Sequence, residues 1–195
     1  MPRQADPDLE ARILKAASGL CKRGGEKSLT LRAVAKAAGS NTPAVYRRFK
    51  NREQILRALL RRFQTELGEH LQRCRSIEEM AEGYLEWALS HRHEFELFHA
   101  NVHELSRGQS SGRMRPIRDS RPNVGLLEER LSERLGGAPE DHTRLALAMW
   151  AAANGTIMLL LTRAIPQGHE AELRSAFRAM VQALIRGAAT DFTNK

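Results

Sequence analysis

Five donors to phosphate crowd into seven residues: Tyr46, Arg47, Arg48, Lys50 and Arg52. Guanidinium, ammonium and phenol groups at this density suit phosphate oxygens, contacts that fix a protein on a nucleic-acid backbone without reading sequence. Just before them stand Thr42, Pro43 and Ala44. These are small or apolar, able to touch thymine methyls or to allow close approach to base edges. Arg32 is long enough to meet a guanine edge bidentately.

Other groups could do different chemistry. His91, His93, His99 and His103 fall within 13 residues, with Glu96 three before His99. His99 and His103 share a helical face, the spacing of a divalent-metal pair. His-Glu-x-x-His is absent, however, and two histidines on a helix are more often surface or pocket residues, so no metal site is expected. Gly-x-Gly-x-x-Gly, the Walker A loop and Gly-x-Ser-x-Gly are absent as well. No nucleophile stands beside a base, so neither an enzyme nor a cofactor is expected. Tyr84, Trp87, Phe95 and Phe98 lie within 15 residues and, with His91 and Val102, form a stripe at spacings of three or four. Such a stripe is either core or the wall of an apolar cleft for a small organic ligand.

The elements that must position these residues are helical. Asp6-Pro7 reads as an N-cap and first turn. Leu9, Ile13, Ala16, Ala17 and Leu20 follow at helical spacing, and Gly24-Gly25 stops the helix. Thr30 caps a second, short helix that ends at Gly39. Asn41 caps a third, with Pro43 in its first turn, where proline costs little. Asn51 starts a fourth, with Gln54 at capping-box spacing. Two short helices joined by a turn of about three residues make a helix-turn-helix, whose second helix enters the major groove.

Further on, 77–105 reads as helical with a break near His91-Arg92-His93. Residues 106–122 have loop composition. A helix over 124–135 ends at Gly136-Gly137, Pro139 opens a long helix to about Arg163, and a last helix follows Pro166 and Gly168. The fold class is all-α, with about nine helices. Leu145 to Thr162 carries no formal charge over 18 residues, close to the ~20 apolar residues of a membrane span. Asn154, Gly155 and Thr156 interrupt it, so it reads as a helix buried on most sides, either in a core or between subunits, not as a span.

Composition agrees with this division. The 195 residues are 42% hydrophobic and 28% charged, as in soluble globular proteins. The net charge is +8. Residues 1–75 carry 17 Lys or Arg against 7 Asp or Glu, net +10, and the rest carry 14 against 16, net −2. A basic module joined to a neutral one suggests a polyanionic partner for the first alone. Cys21 and Cys74 cannot build a disulfide scaffold, and no export signal is evident. A cytoplasmic location is expected.

The stretch Ala38-Gly39-Ser40-Asn41-Thr42-Pro43-Ala44-Val45-Tyr46-Arg47-Arg48-Phe49-Lys50-Asn51-Arg52-Glu53 closely resembles the signature of the tetracycline-repressor (TetR) family. That family shows Ala-Gly-Val-Ser, Leu-Tyr-x-His-Phe and Lys-Glu at the same spacings. Ile13-Leu14-x-Ala16-Ala17 and Thr30-x-x-x-x-Ala35 also fit, and the resemblance covers about residues 9–65. Ser40 stands where Val is usual, Asn41 where Ser is, Pro43 where Gly is common and Arg48 where His is. The resemblance implies that Arg32, Thr42, Pro43 and Ala44 lie nearest the bases. It also implies that Tyr46, Arg48 and Arg52 meet phosphates, with Thr30 near the backbone. Arg47 and Lys50 join them by charge and position, and Asn41, at the start of the reading helix, completes the DNA-binding set of eleven.

Downstream the resemblance is weaker. Trp150-Ala-Ala-Ala-Asn154-Gly155 looks like one subgroup's Trp-x-x-x-His-Gly, and Tyr84 to Phe98 looks like its pocket-wall helices. It implies an effector pocket of Tyr84, Trp87, His91, Phe95, Phe98, His99, Val102, Trp150 and Asn154, and a homodimer through the last two helices. The expectation is a helix-turn-helix domain over 6–66 and a helical effector-binding and dimerisation domain over 67–195. Together they would act as a repressor that binds double-stranded DNA at a palindromic operator and is released by a small molecule. A non-specific nucleic-acid-binding dimer and a metal-responsive regulator using the His91–His103 cluster are the alternatives.

Overall fold

The computed structural model describes residues 8–105 and 116–193, and side chains as far as 189. All regular structure among them is helical. The ten α-helices are α1 (Leu9–Gly24), α2 (Leu31–Ala37), α3 (Thr42–Arg48), α4 (Arg52–Gln72), α5 (Ile77–Ser90), α6 (Arg92–Asn101), α7 (Ile117–Ser120), α8 (Pro122–Leu135), α9 (Thr143–Leu161) and α10 (Glu170–Thr193). The chain divides into two compact units. One is Met1–Phe63 with His93–Ser110, and the other is Gln64–Arg92 with Ser111–Lys195. The long helix α4 supplies residues to both.

In the first unit α1 packs on α2, and α2 on α3. Ile13, Ala17, Leu29, Val34, Val45, Ile55 and Leu60 are almost wholly withdrawn from water. Phe63 of α4 stacks on Phe98 of α6, ring centres 4.9 Å apart. Lys22 reaches Glu94 at 2.6 Å, tying α1 to α6. The Asp6-Pro7 start expected for α1 lies outside the described residues.

In the second unit α9 packs on α5, α8 and α10. The loop expected over 106–122 is corrected at its end. Ile117–Ser120 is a helical turn, and Pro122 is the first residue of α8; 106–115 lies outside the described residues. The cause is tertiary. Arg118 reaches the buried Glu128 at 2.6 Å, and the same carboxylate accepts from Thr143 Oγ1 at 2.6 Å. Gly125 gives the room, since a Cβ there would stand 3.0 Å from that of Arg118. Pro139 opens a short 3-10 turn, Pro139–His142, before α9 proper.

Helix α9 has one face buried within the chain and leaves the other outward. Ala146, Met149, Ala153, Thr156, Ile157 and Leu161 are buried along one face. Ala148, Ala151, Gly155, Met158 and Leu159 are exposed on the other. By length and composition Pro139–Leu161 could cross a membrane, yet only a third of its most apolar window is buried.

The end of α9 is unusual. Arg163 N–H donates to Leu160 O and Ala164 N–H to Leu159 O, at 3.3 and 3.0 Å. This is the Schellman closure, which places the residue after the C-cap in the left-handed region. Here that residue is Arg163, at φ 53°, the single positive-φ residue other than glycine among those described. A side chain there costs ~1–2 kcal/mol, and glycine's extra freedom in the unfolded chain offsets part of the relief. Arg163→Gly is therefore expected to stabilise the protein by up to ~1 kcal/mol, read as a higher midpoint of urea unfolding.

Candidate nucleic-acid interface

Local chemistry builds the helix pair. Thr30 Oγ1 accepts from Ala33 N–H at 3.1 Å and so caps α2. Asn41 Oδ1 accepts from Ala44 N–H at 2.8 Å and caps α3. Between them α2 closes in a Schellman turn, with Ser40 N–H donating to Ala35 O at 3.0 Å and Gly39 N–H to Lys36 O at 3.3 Å. Gly39, at φ 61°, supplies the left-handed residue that this turn requires. The next helix starts equally locally. Asn51 Oδ1 accepts from Gln54 N–H at 2.9 Å, and Gln54 Oε1 accepts from Lys50 N–H at 2.7 Å.

These constraints turn one side of α2 and α3 outward. A cleft of about 640 Å³ is lined by Leu29, Thr30, Leu31, Arg32, Thr42, Tyr46 and Arg52. A second, of about 740 Å³, is lined by Thr30, Arg32, Ala33, Ala35, Lys36, Ser40, Asn41, Thr42 and Pro43. Thr30, Arg32 and Thr42 border both. Tyr46 is 53% exposed, high for a large aromatic side chain. Arg47, Arg48 and Lys50 are exposed around the rim. The surface is thus an open, cationic, shallowly furrowed face.

Ten of the eleven residues singled out for nucleic acid lie on this exposed or half-exposed surface. Ala44 is the correction. It is 7% exposed and turned into the core, and its contribution is the N–H that Asn41 caps. Helical geometry explains this, because Ala44 and Val45 form the buried strip of α3. Sequence reasoning passed over Lys36, Ser40 and Glu26. Lys36 and Ser40 line the second cleft. Glu26, in the turn Glu26–Ser28, pairs with Arg52 at 2.8 Å. The composition of the basic segment gave no hint that one of its few acids would stand there.

The expected pocket residues fall into two groups. Phe95, Phe98, His99 and Val102 belong to the first unit, where Phe95 and Phe98 are core and the Phe95 and His99 rings lie 4.2 Å apart. Tyr84, Trp87, His91, Trp150 and Asn154 belong to the second. There Trp87 stacks on His91 at 4.1 Å. Tyr84 Oη donates to Asn154 Oδ1 at 2.9 Å, and Asn154 Nδ2 donates to Trp150 O at 2.9 Å. Among the described residues no group of three His, Cys, Asp or Glu side chains is placed to hold a metal.

Burial pushes the Tyr84 phenol from its ordinary 10.0 up to about 12, against a smaller opposing effect of hydrogen bonds with Trp150 and Asn154. The folded state therefore holds this proton more tightly than the unfolded chain. Its contribution to stability is intact below pH 10 and is lost as the pH rises through about 12. Unfolding free energy measured across that window should fall more steeply for the wild type than for Tyr84→Phe. Equal slopes would disprove the assignment.

Residues 13–59 match the family model described as bacterial regulatory proteins, tetR family, and residues 77–184 match the tetracyclin repressor-like C-terminal domain. Solved structures share the fold. A protein of unknown function from Rhodococcus sp. RHA1 is 22% identical with TM-score 0.73, covering 97% of this chain and 100% of that one. A TetR-family transcriptional regulator from Streptomyces coelicolor is 23% identical with TM-score 0.62, covering 92% and 99%. The multidrug binding protein EbrR complexed with imidazole is 24% identical with TM-score 0.63, covering 94% and 93%. No curated protein matches.

Proposed function

This chain belongs to the tetR family of bacterial regulatory proteins, and on that premise we propose that it is a cytoplasmic, homodimeric repressor released from a palindromic operator by a small organic molecule. The observation that carries the DNA-binding part is the capped pair α2–α3, with Arg32, Thr42 and Tyr46 on an open face and Arg47, Arg48 and Lys50 around it. The domains are taken as 6–66 for reading DNA and 67–195 for effector and dimer.

Two roles separate on this face. Arg32 borders both clefts and meets a base edge; Thr42 and Pro43 set how closely α3 approaches. Tyr46, Arg47, Arg48, Lys50 and Arg52 grip phosphates, with Thr30 beside the backbone. A two-fold dimer follows from the reading mode, since paired recognition helices must enter grooves ~34–36 Å apart or a multiple of that. The outward strip of α9 supports it. Ala148, Ala151 and Gly155 permit close helix approach, and Met158 and Leu159 are 44% and 39% exposed. With α10, that strip suits a four-helix bundle formed with a second copy.

Release is a matter of linkage. An effector shifts the population away from the operator-competent form by no more than its differential affinity for the two forms. Tyr84, Trp150 and Asn154, already joined by hydrogen bonds, offer an aromatic wall with polar groups for an organic ligand. EbrR, a protein of the same fold, is described as multidrug binding.

Selection of sites from random duplex DNA, using the purified protein, tests the reading. An enriched palindrome is the expected result. Strong, salt-sensitive binding without enrichment would replace it with non-specific binding. Two substitutions refine it. Arg48→Ala should weaken all duplexes and flatten the salt slope by about one unit. Arg32→Ala should relax a single base position at a cost of ~1–3 kcal/mol, and an unchanged site preference would remove Arg32 from the base-reading set.

A further inference from the structure

The first residue of α4, Arg52, is not held out to solvent as a bare cation. Its Nη2 lies 2.8 Å from Glu26 Oε1, and its Nε lies 4.0 Å from Glu53 Oε1. Both members of the Glu26 pair are about one-third exposed. Such a pair adds little stability, because solvent screens it and two long side chains lose freedom in making it. Its location is the informative part. Arg52 lines the same cleft as Arg32, Thr42 and Tyr46, and Glu26 is set on a turn fixed by Ser28 Oγ donating to Leu20 O at 2.8 Å and to Gly25 O at 2.7 Å. A carboxylate is therefore paired with a cation that borders this cleft.

We propose that Glu26 is a specificity-determining positioning residue, which splints Arg52 for one phosphate of the operator while repelling phosphates elsewhere. The inference rests on the DNA-binding reading above. Two opposing effects of the carboxylate are involved. Its charge disfavours any duplex, by an amount that Coulomb's law in water puts at a few-fold in affinity at ~5 Å. It also orders the Arg52 side chain before binding, which removes an entropic cost that the complex would otherwise carry. On a random duplex Arg52 can accept many phosphate placements, so ordering gains nothing and repulsion dominates. On the operator one placement is required, and the two effects nearly cancel. The carboxylate thereby widens the gap between operator and random DNA, the quantity that matters when competing sites are abundant.

The test uses the full chain, the selected operator duplex and a scrambled duplex of equal composition, over a series of salt concentrations. Glu26→Gln keeps the shape and removes the charge. It should tighten binding to the scrambled duplex about fivefold and to the operator by less than about twofold, lowering the ratio at least twofold. The salt slope on the scrambled duplex should steepen by about one unit, because Arg52 then releases a full counterion. Glu26→Asp should restore most of the ratio. In an Arg52→Gln background Glu26→Gln should leave the ratio unchanged, which a merely structural role for Glu26 would not predict. Equal tightening on both duplexes, an unchanged ratio, or a change of ratio that persists without Arg52 overturns the proposal. Absence of any operator for the wild type would instead overturn the sequence-specific reading. These failures are distinguishable.

Discussion

Two seven-residue helices must be held at a fixed angle, and neither could persist alone, since isolated helices shorter than ~12–15 residues are marginal in water. The arrangement of the first unit follows from that constraint. Thr30 and Asn41 satisfy the first N–H groups of α2 and α3, the Ala35–Ser40 bond closes the turn, and Gly39 takes the conformation that the turn demands. Local bonds of this kind set direction but bury little. The fixing comes from Val34, Ala35, Ala44 and Val45, buried on the inner strips of the pair in the unit whose core also holds Ile13, Ala17 and Ile55. Only with the inner strip committed to the core can the outer strip carry exposed Tyr46, Arg47 and Arg48.

The outer strip obeys a second constraint. Cations that are to meet phosphate must stay in water when DNA is absent, and their mutual repulsion has to be limited. The acids nearby do this. Glu26 and Glu53 flank Arg52, and Glu10 lies 3.9 Å from Arg48. Exposed pairs of this sort hold arginines by tenths of a kcal/mol to about one, enough to bias a side chain without locking it. A buried pair does more. The contrast inside the same chain is Glu128, almost wholly buried, bonded by Thr143 and paired with Arg118. That carboxylate fastens α7 onto α8, and losing its partner would leave a charge in the core. One chemistry thus serves two ends, separated by depth of burial.

Depth of burial also explains what was legible in the sequence. The helix pair was, because caps and the left-handed glycine act over three or four residues, so Thr30, Gly39 and Asn41 declare themselves. The break at His91 was, since α5 ends at Ser90 and α6 starts at Arg92. The turn Ile117–Ser120 was not. Its composition is that of a loop, and its helicity depends on a partner ten residues away, Glu128, and on space left by Gly125. Ala44 was misplaced because the pattern names a helix's first turn without fixing which side faces inward. Glu26 was invisible for a related reason. Its role depends on where Arg52, 26 positions later, returns in space. The aromatic residues from Tyr84 to Phe98 read as one stripe, yet the helix break divides them between units, and the Tyr84–Asn154–Trp150 link joins α5 to α9 within the second.

Helix α4 is the element in which these threads meet. Its first residue is the splinted Arg52, and three turns on, Gln64 Nε2 donates to Ser120 O at 3.3 Å while Gln64 O accepts from Asn123 Nδ2 at 3.2 Å. Gly68, one turn further, leaves room where a Cβ would stand 2.8 Å from Asn123 Oδ1. The α7–α8 turn therefore clasps α4 within the second unit, and Arg52 opens the same helix within the first. On the proposed mechanism, an effector need not reach the DNA face to be felt there. It has only to bind more tightly to the form that does not hold the operator than to the form that does. The size of the response is bounded by the effector's preference between the two forms, not by its total affinity.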